Sequence, residues 1–130
     1  MKICIEKGTL VDEIKKIFTT RYPYLKIELY KNSSNGYNAK KEALPYNFVL
    51  DKYIHPPGTT IININHDVTV GELEHQFEDI GFAAEVFRKS GNVWIETSLT
   101  DNWTLQQQNA EAEEISKHFN GEKLHSKNRI

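Results

Sequence analysis

A strand, an amphipathic helix and a second strand follow one another twice in this chain. In the first pass Lys2–Glu6 alternates around Ile3 and Ile5, the period-two pattern of a half-buried strand. Leu10, Ile14, Ile17 and Phe18 then form one helical stripe, and Pro23 ends it by disfavouring the helical conformation of Tyr22. Leu25–Tyr30 alternates again. In the second pass Thr60–Asn65 is the strand, with Ile62 and Ile64 on one face. Val70, Leu73, Phe77 and Ile80 are the helical stripe, and Phe82–Lys89 is the closing strand. The two passes end alike, on Glu28-Leu29-Tyr30-Lys31 and Glu85-Val86-Phe87-Arg88. A doubled β-α-β unit predicts an α+β fold, a ferredoxin-like two-layer sandwich with both helices on one face of an antiparallel sheet. A β-grasp arrangement is the alternative, because Thr69-Val70 opening a helix after a strand also suits it.

Polar punctuation sets the remaining elements. Thr69-Val70-Gly71-Glu72 is a capping box, and Gly81 supplies a left-handed stop. Thr9 with Asp12 is a weaker version before the first helix. Phe82–Lys89 and Asn92–Leu99 flank Ser90-Gly91 and predict a hairpin, adding one strand. That turn sets Phe87 opposite Trp94 and Val86 opposite Ile95. A second box, Thr104 with Gln107, opens a C-terminal helix. Its stripe is Leu105, Gln108, Ala112, Ile115 and Phe119, and Gly121 is expected to end it. Residues 31–59 break the pattern with a turn-rich run and predict a mobile insertion, in which Tyr46–Leu50 is one short strand. The domain is therefore expected over 1–120, with 121–130 a flexible tail.

Hydrophobic residues make up 38% of the chain, enough for a core, and no apolar run has the length of a membrane span. The single cysteine cannot form an internal disulfide, and no segment at the N-terminus has the pattern of a signal peptide, so a reducing cytoplasm is expected. The net charge of −2 is unevenly spread. Residues 1–60 hold 10 Lys/Arg against 6 Asp/Glu, residues 61–118 hold 3 against 11, and the last twelve hold 3 against 1. Lys15, Lys16 and Arg21 on the first helix are placed to oppose Glu74, Glu78 and Asp79 on the second, which would neutralise the split internally.

Chemistry-bearing residues are few. Both faces of the hairpin carry large apolar groups, so either Phe87 with Trp94 or Val86 with Ile95 needs a second cover. The C-terminal helix is one cover, and a partner is the other. Arg88 and Lys89 are the only basic residues from 61 through 116, and they adjoin the aromatics. Phe87, Arg88, Lys89, Trp94 and Trp103 are thus the candidate binding residues. A single-stranded nucleic acid would stack on such a patch, but strands Lys2–Glu6 and Thr60–Asn65 carry no aromatic and the second half is acidic. Nucleic acid is therefore disfavoured against a protein partner or a homodimer.

His55, His66, His75, His118 and His125 fall at no metal-ligand spacing. Gly71, Gly81 and Gly91 are taken up by caps and turns rather than a phosphate loop, and no cofactor is expected. Cys4 inside a strand is best explained as a small buried hydrophobe. The carboxylates Glu72, Glu74, Glu78 and Asp79 are the outer face of a helix. Tyr22, Tyr24, Tyr30, Tyr37, Tyr46 and Tyr53 cluster among lysines in the first half, and those in the insertion offer a contact surface.

From Val86-Phe87-Arg88-Lys89-Ser90-Gly91-Asn92-Val93-Trp94-Ile95-Glu96-Thr97 through Thr100-Asp101-Asn102-Trp103-Thr104-Leu105, the chain resembles a family of small bacterial proteins without an assigned activity. The resemblance spans about Val68 to Asn109. It implies a bacterial cytoplasmic protein and carries over no catalytic residue. Two functions from different classes are expected. The first is a non-catalytic binding or assembly module on the aromatic hairpin. The second is a small enzyme with its site between the 31–59 insertion and the sheet, using Cys4 or His66.

Overall fold

The computed structural model describes residues 1–31, 42–54 and 58–128, with side chains as far as His118. The elements are β1 (Lys2–Ile5), α1 (Val11–Arg21), β2 (Leu25–Lys31), β3 (Thr60–Asn63), α2 (Val70–Glu78), β4 (Phe82–Ser90), β5 (Val93–Glu96) and α3 (Leu105–Asn128). Short 3-10 turns lie at Asp51–Tyr53 and Ser98–Thr100. The fold is mixed α+β with three helices and two antiparallel sheets.

A ferredoxin-like sandwich joins its strands in one sheet, whereas here β1 pairs with β3 and β2–β4–β5 form a separate sheet. The reason is at the outer edge of β2. There the Leu44 N–H donates to the Leu29 carbonyl at 2.7 Å, so a segment of the expected insertion takes an edge position a further strand would need. Residues 42–54 are accordingly packed. Leu50 and Ile54 are buried, and Leu44 and Phe48 lie against the core. The rest of the 31–59 segment, 32–41 and 55–57, is outside the described residues, as is Tyr37.

The two sequence passes are also two structural passes. Equivalent strands pair antiparallel, with Cys4 opposite Ile61 and Glu28 opposite Glu85 at the same sequence separation. A local two-fold relation requires such pairing. It extends to the helix starts, where the first N–H groups have no partner inside the helix. In the first half Val11 N–H donates to Phe48 O (3.0 Å), Asp12 N–H to Tyr46 O (3.0 Å), and Leu50 N–H to Thr9 O (3.1 Å). In the second Val70 N–H donates to Trp103 O (3.1 Å), Gly71 N–H to Asp101 O (2.8 Å), and Leu105 N–H to Val68 O (2.8 Å). Single bridges Leu10–Val49 and Thr69–Thr104 complete each set. Each helix therefore has its N-terminus strapped by a backbone segment from the same half.

The caps divide. Thr69 Oγ1 accepts from Glu72 N–H at 3.1 Å. Thr104 and Gln107 bond reciprocally, at 3.1 and 2.9 Å. Before α1 the expected Thr9 box is absent: Leu10 is the N-cap, and Thr9 Oγ1 accepts from Glu6 N–H instead. The α1 position equivalent to Thr69 is Leu10, whose side chain has no acceptor, and the Phe48 and Tyr46 carbonyls take the first two N–H groups of the helix. Val11, Ile14 and Phe18 are the buried stripe there, while Ile17 is exposed. Val70, Leu73, Phe77 and Ile80 are all buried, and Gly81 follows at φ 95°. The backbone of α3 continues past Gly121 to Asn128. A glycine inside a helix costs about 1 kcal/mol relative to alanine, which weakens a helix without ending it.

Charge pairing is local to each half. Lys15 Nζ meets Glu28 of β2 at 2.9 Å, Lys16 meets Asp12 on its own helix, and His75 reaches Glu78 and Asp79. The expected opposition of α1 lysines to Glu78 and Asp79 is therefore replaced by neighbours already held in register, which cost less entropy to pair.

Candidate binding surface

The β4–β5 hairpin places the aromatics. Its loop is Gly91-Asn92 rather than Ser90-Gly91, with Ser90 opposite Val93, Arg88 opposite Ile95 and Phe87 opposite Glu96. Gly91 has φ 65°, and the first position of a type II′ turn requires a positive φ. The register is two residues from the one expected. A shift of two keeps every side chain on its face. Phe87 and Trp94 therefore share one face as diagonal neighbours rather than as an opposed pair.

Leu25, Ile27 and Leu29 of β2 and Phe82, Ala84 and Val86 of β4 point into the core. The alternate residues make the outer face. These are Lys26, Glu28 and Tyr30 on β2, Glu85, Phe87 and Lys89 on β4, and Trp94 and Glu96 on β5, and none of them is buried. Trp94 is 40% exposed. Lys26, opposite Phe87 in the ladder, holds its ammonium 5.2 Å from the Phe87 ring centre and 5.1 Å from that of Trp94. Each such contact is worth about 0.5–1 kcal/mol at an exposed site. The face is bipolar. Lys89 lies nearest the hairpin end, Lys26 and Glu96 flank Phe87 in one row, and Glu28 and Glu85 lie beyond it.

Tyr30 reports that acidic end. Burial first, then a hydrogen bond to Glu85 and the charges of Glu85, Glu28 and Glu96, push its phenol up to about 12. The neutral phenol is favoured in the folded chain, so this contribution to stability is present below the ordinary tyrosine range near 10. It is lost as pH rises through about 12. In an absorbance titration, Tyr30→Phe should delete a tyrosine that ionises near 12, and Glu85→Gln should move that step downward. A Tyr30 step at the ordinary value would rule out the carboxylate cluster.

Arg88 and Trp103 lie elsewhere. Arg88 faces inward, its guanidinium 5.6 Å over the Trp103 ring, with Nη1 donating to Gln108 Oε1 at 3.2 Å. Gln108 is fully buried on α3, and its Nε2 donates to the Thr100 carbonyl and hydroxyl, both at 2.7 Å. That anchoring aims Oε1 at Arg88. The first half has a matching contact, Lys31 5.5 Å from the Phe48 ring and 4.5 Å from that of Tyr53. Both cations tie a strand end to the segment strapping a helix. The five candidate residues thus divide, with Phe87, Lys89 and Trp94 on the open face and Arg88 and Trp103 in an inner tether. Sequence reasoning missed Lys26, whose place shows only once the β2–β4 register is known.

The C-terminal helix packs on the β4 side of the inner face, where Leu105, Gln108 and Ala112 are buried and Gln108 accepts from Arg88, and the Phe87–Trp94 face holds no buried residue. Ile115 is half-buried, and the Phe119 side chain lies outside the described residues. Val93 and Ile95, on the inner side of β5, are 53% and 39% exposed.

The two groups tied to an enzyme have modest surroundings. Cys4 is half-buried on the outward side of β1, opposite exposed Ile61, and has no hydrogen-bond partner among the described residues. His66 Nδ1 lies 3.4 Å from the Tyr22 hydroxyl, which donates to the Ile64 carbonyl at 2.6 Å. Its ring packs edge-on to Tyr22, a buried tether between the first helix and the second half. Among the described residues no three His, Cys, Asp or Glu side chains converge on a metal position, and no helix is long and apolar enough to cross a membrane. His55 and the His125 side chain lie outside the described residues.

No protein-family model, curated protein or solved structure matches this chain.

Proposed function

We propose that this chain is a non-catalytic binding or assembly module whose contact surface is the outer face of the β2–β4–β5 sheet. One observation carries the reading: Phe87 and Trp94 stand together on a face where no residue is buried, with Lys26 seated between them. Large aromatics at the centre of a partly desolvated patch are the usual anchors of protein interfaces. The partner class follows from the charges. Glu28, Glu85 and Glu96 share the face, so a nucleic-acid backbone crossing it would meet carboxylates, whereas a protein surface can match both ends. The single cysteine supports a reducing, cytoplasmic setting.

Photo-crosslinking in living cells tests the surface whichever protein binds it. A photoreactive residue replacing Glu96, on the outer face, should give protein adducts, and the same residue replacing Glu13, on the exposed side of α1, should give none. Equal yields at the two positions would sink the reading.

A further inference from the structure

We infer that a second copy of the chain binds at the β5 edge of this surface, paired antiparallel with Ile95 on the two-fold axis; the inference rests on the proposed contact surface. All four residues of β5 are exposed, Val93 by 53%, Trp94 by 40% and Ile95 by 39%. Natural edge strands are usually guarded by charged side chains, Pro, a bulge or short length. Val93-Trp94-Ile95-Glu96 is short and has Glu96 as its one charge, with no Lys, Pro or bulge, and it pairs with β4 without interruption.

The free backbone groups of β5 can be assigned. Lys89 N–H donates to Tyr24 O on the β2 side, and the Val86 carbonyl accepts from Thr97 Oγ1 on the β5 side. Even-numbered residues of β4 therefore bond toward β5, so Val93 and Ile95 spend their N–H and C=O groups on Ser90 and Arg88. Trp94 and Glu96 point theirs outward, because neighbouring residues of an antiparallel strand alternate in direction. With Ile95 at the two-fold, Trp94 of one protomer faces the partner's Glu96, and the reverse. Every outward group of both residues is then bonded.

The side chains match in the same register. Lys26, Phe87 and Glu96 already form one cross-strand row, and Lys89 and Trp94 form another. Pairing joins them into Lys26, Phe87, Glu96, the partner's Trp94 and the partner's Lys89. Glu96 has no cationic partner among the described residues, and it would sit between two aromatic rings with a lysine beyond each. On the other side of the sheet Ile95 meets its own copy. This self-complementarity is why a second copy, rather than an unrelated strand, is assigned.

Sedimentation over a concentration series should move the wild-type chain from one to two masses of 15.1 kDa across the micromolar range. Glu96→Pro should stay at one mass throughout with an unchanged circular dichroism spectrum, since proline at an outward edge position removes no hairpin bond. Should that variant fail to fold, cysteine pairing still decides. In a Cys4→Ser background, Ile95→Cys should oxidise to a covalent dimer, because opposed non-hydrogen-bonded residues lie within disulfide reach. Trp94→Cys, offset from its own copy, should not. A wild-type chain of one mass at every concentration would overturn the second copy, and linkage at 94 without linkage at 95 would overturn the register. Photo-adducts at Glu96 containing only foreign protein would also overturn it while leaving the contact surface standing. Equal adduct yields at Glu96 and Glu13 would remove both.

Discussion

Leu50→Ala is expected to lower the free energy of unfolding by about 2–5 kcal/mol, the range for emptying a buried leucine site. The sequence places Leu50 at the end of a short strand in a mobile insertion, where truncation would cost little. The structure buries it completely, bonds its N–H to Thr9 O, and sets it beside the bridge between Leu10 and Val49. Its counterpart in the second half is Leu105, also fully buried, with its N–H on Val68 O. Leu105→Ala should therefore cost a similar amount. Urea unfolding of both variants checks the pair. A Leu50→Ala loss below about 0.5 kcal/mol, the level of an ordinary surface change, would show that the strap contributes nothing.

Gln108→Leu should destabilise by about 1–3 kcal/mol, although a leucine fills most of the same volume. The side chain is fully buried and makes three bonds, one from Arg88 and two to Thr100. Its loss takes one of two donors from the Thr100 carbonyl, which keeps the Trp103 N–H, and the guanidinium loses a neutral acceptor while its Nε is already buried without a partner among the described residues. An unsatisfied buried group costs about 1–3 kcal/mol, more when charged. The sign of a second change separates this cause from simple packing. Adding Arg88→Met to Gln108→Leu should recover part of the loss, because the polar demand disappears from both sides. A double variant less stable than the single one would show that Arg88 contributes mainly through its stacking on Trp103.

Much of the secondary structure was legible because its signals are local. The Thr69 and Thr104 boxes, the stripe from Val70 to Ile80 and the positive-φ glycine at 81 each act within a few residues. The doubled β-α-β order was legible for the same reason. Thr9 was misleading because the N-cap is Leu10, and the carbonyls of distant Phe48 and Tyr46 take the first two N–H groups of the helix. The hairpin faces were readable and its register was not. Alternation survives a two-residue shift, so apolar pattern cannot separate a loop at Ser90-Gly91 from one at Gly91-Asn92.

The candidate site shows the same division. Phe87, Lys89 and Trp94 share a face by period-two geometry, and no fold is needed to see it. Arg88 belongs with Trp103 only because α3 folds back over β4 and its Gln108 accepts from the guanidinium that lies over the ring. Lys26 joins the aromatics only because β2 lies beside β4, across more than fifty residues of chain.

By itself, then, the sequence determined which segments are strands and helices, that two halves repeat, and which hairpin side chains stand together. These follow from backbone periodicity and from short-range capping. The tertiary structure alone decided that the strands form two sheets, that residues 42–54 strap a helix, and which side of the hairpin α3 covers. Those outcomes depend on which distant backbone edge is left open. Leu44 lies at the outer edge of β2, and among the described residues β5 has a strand partner on one edge alone.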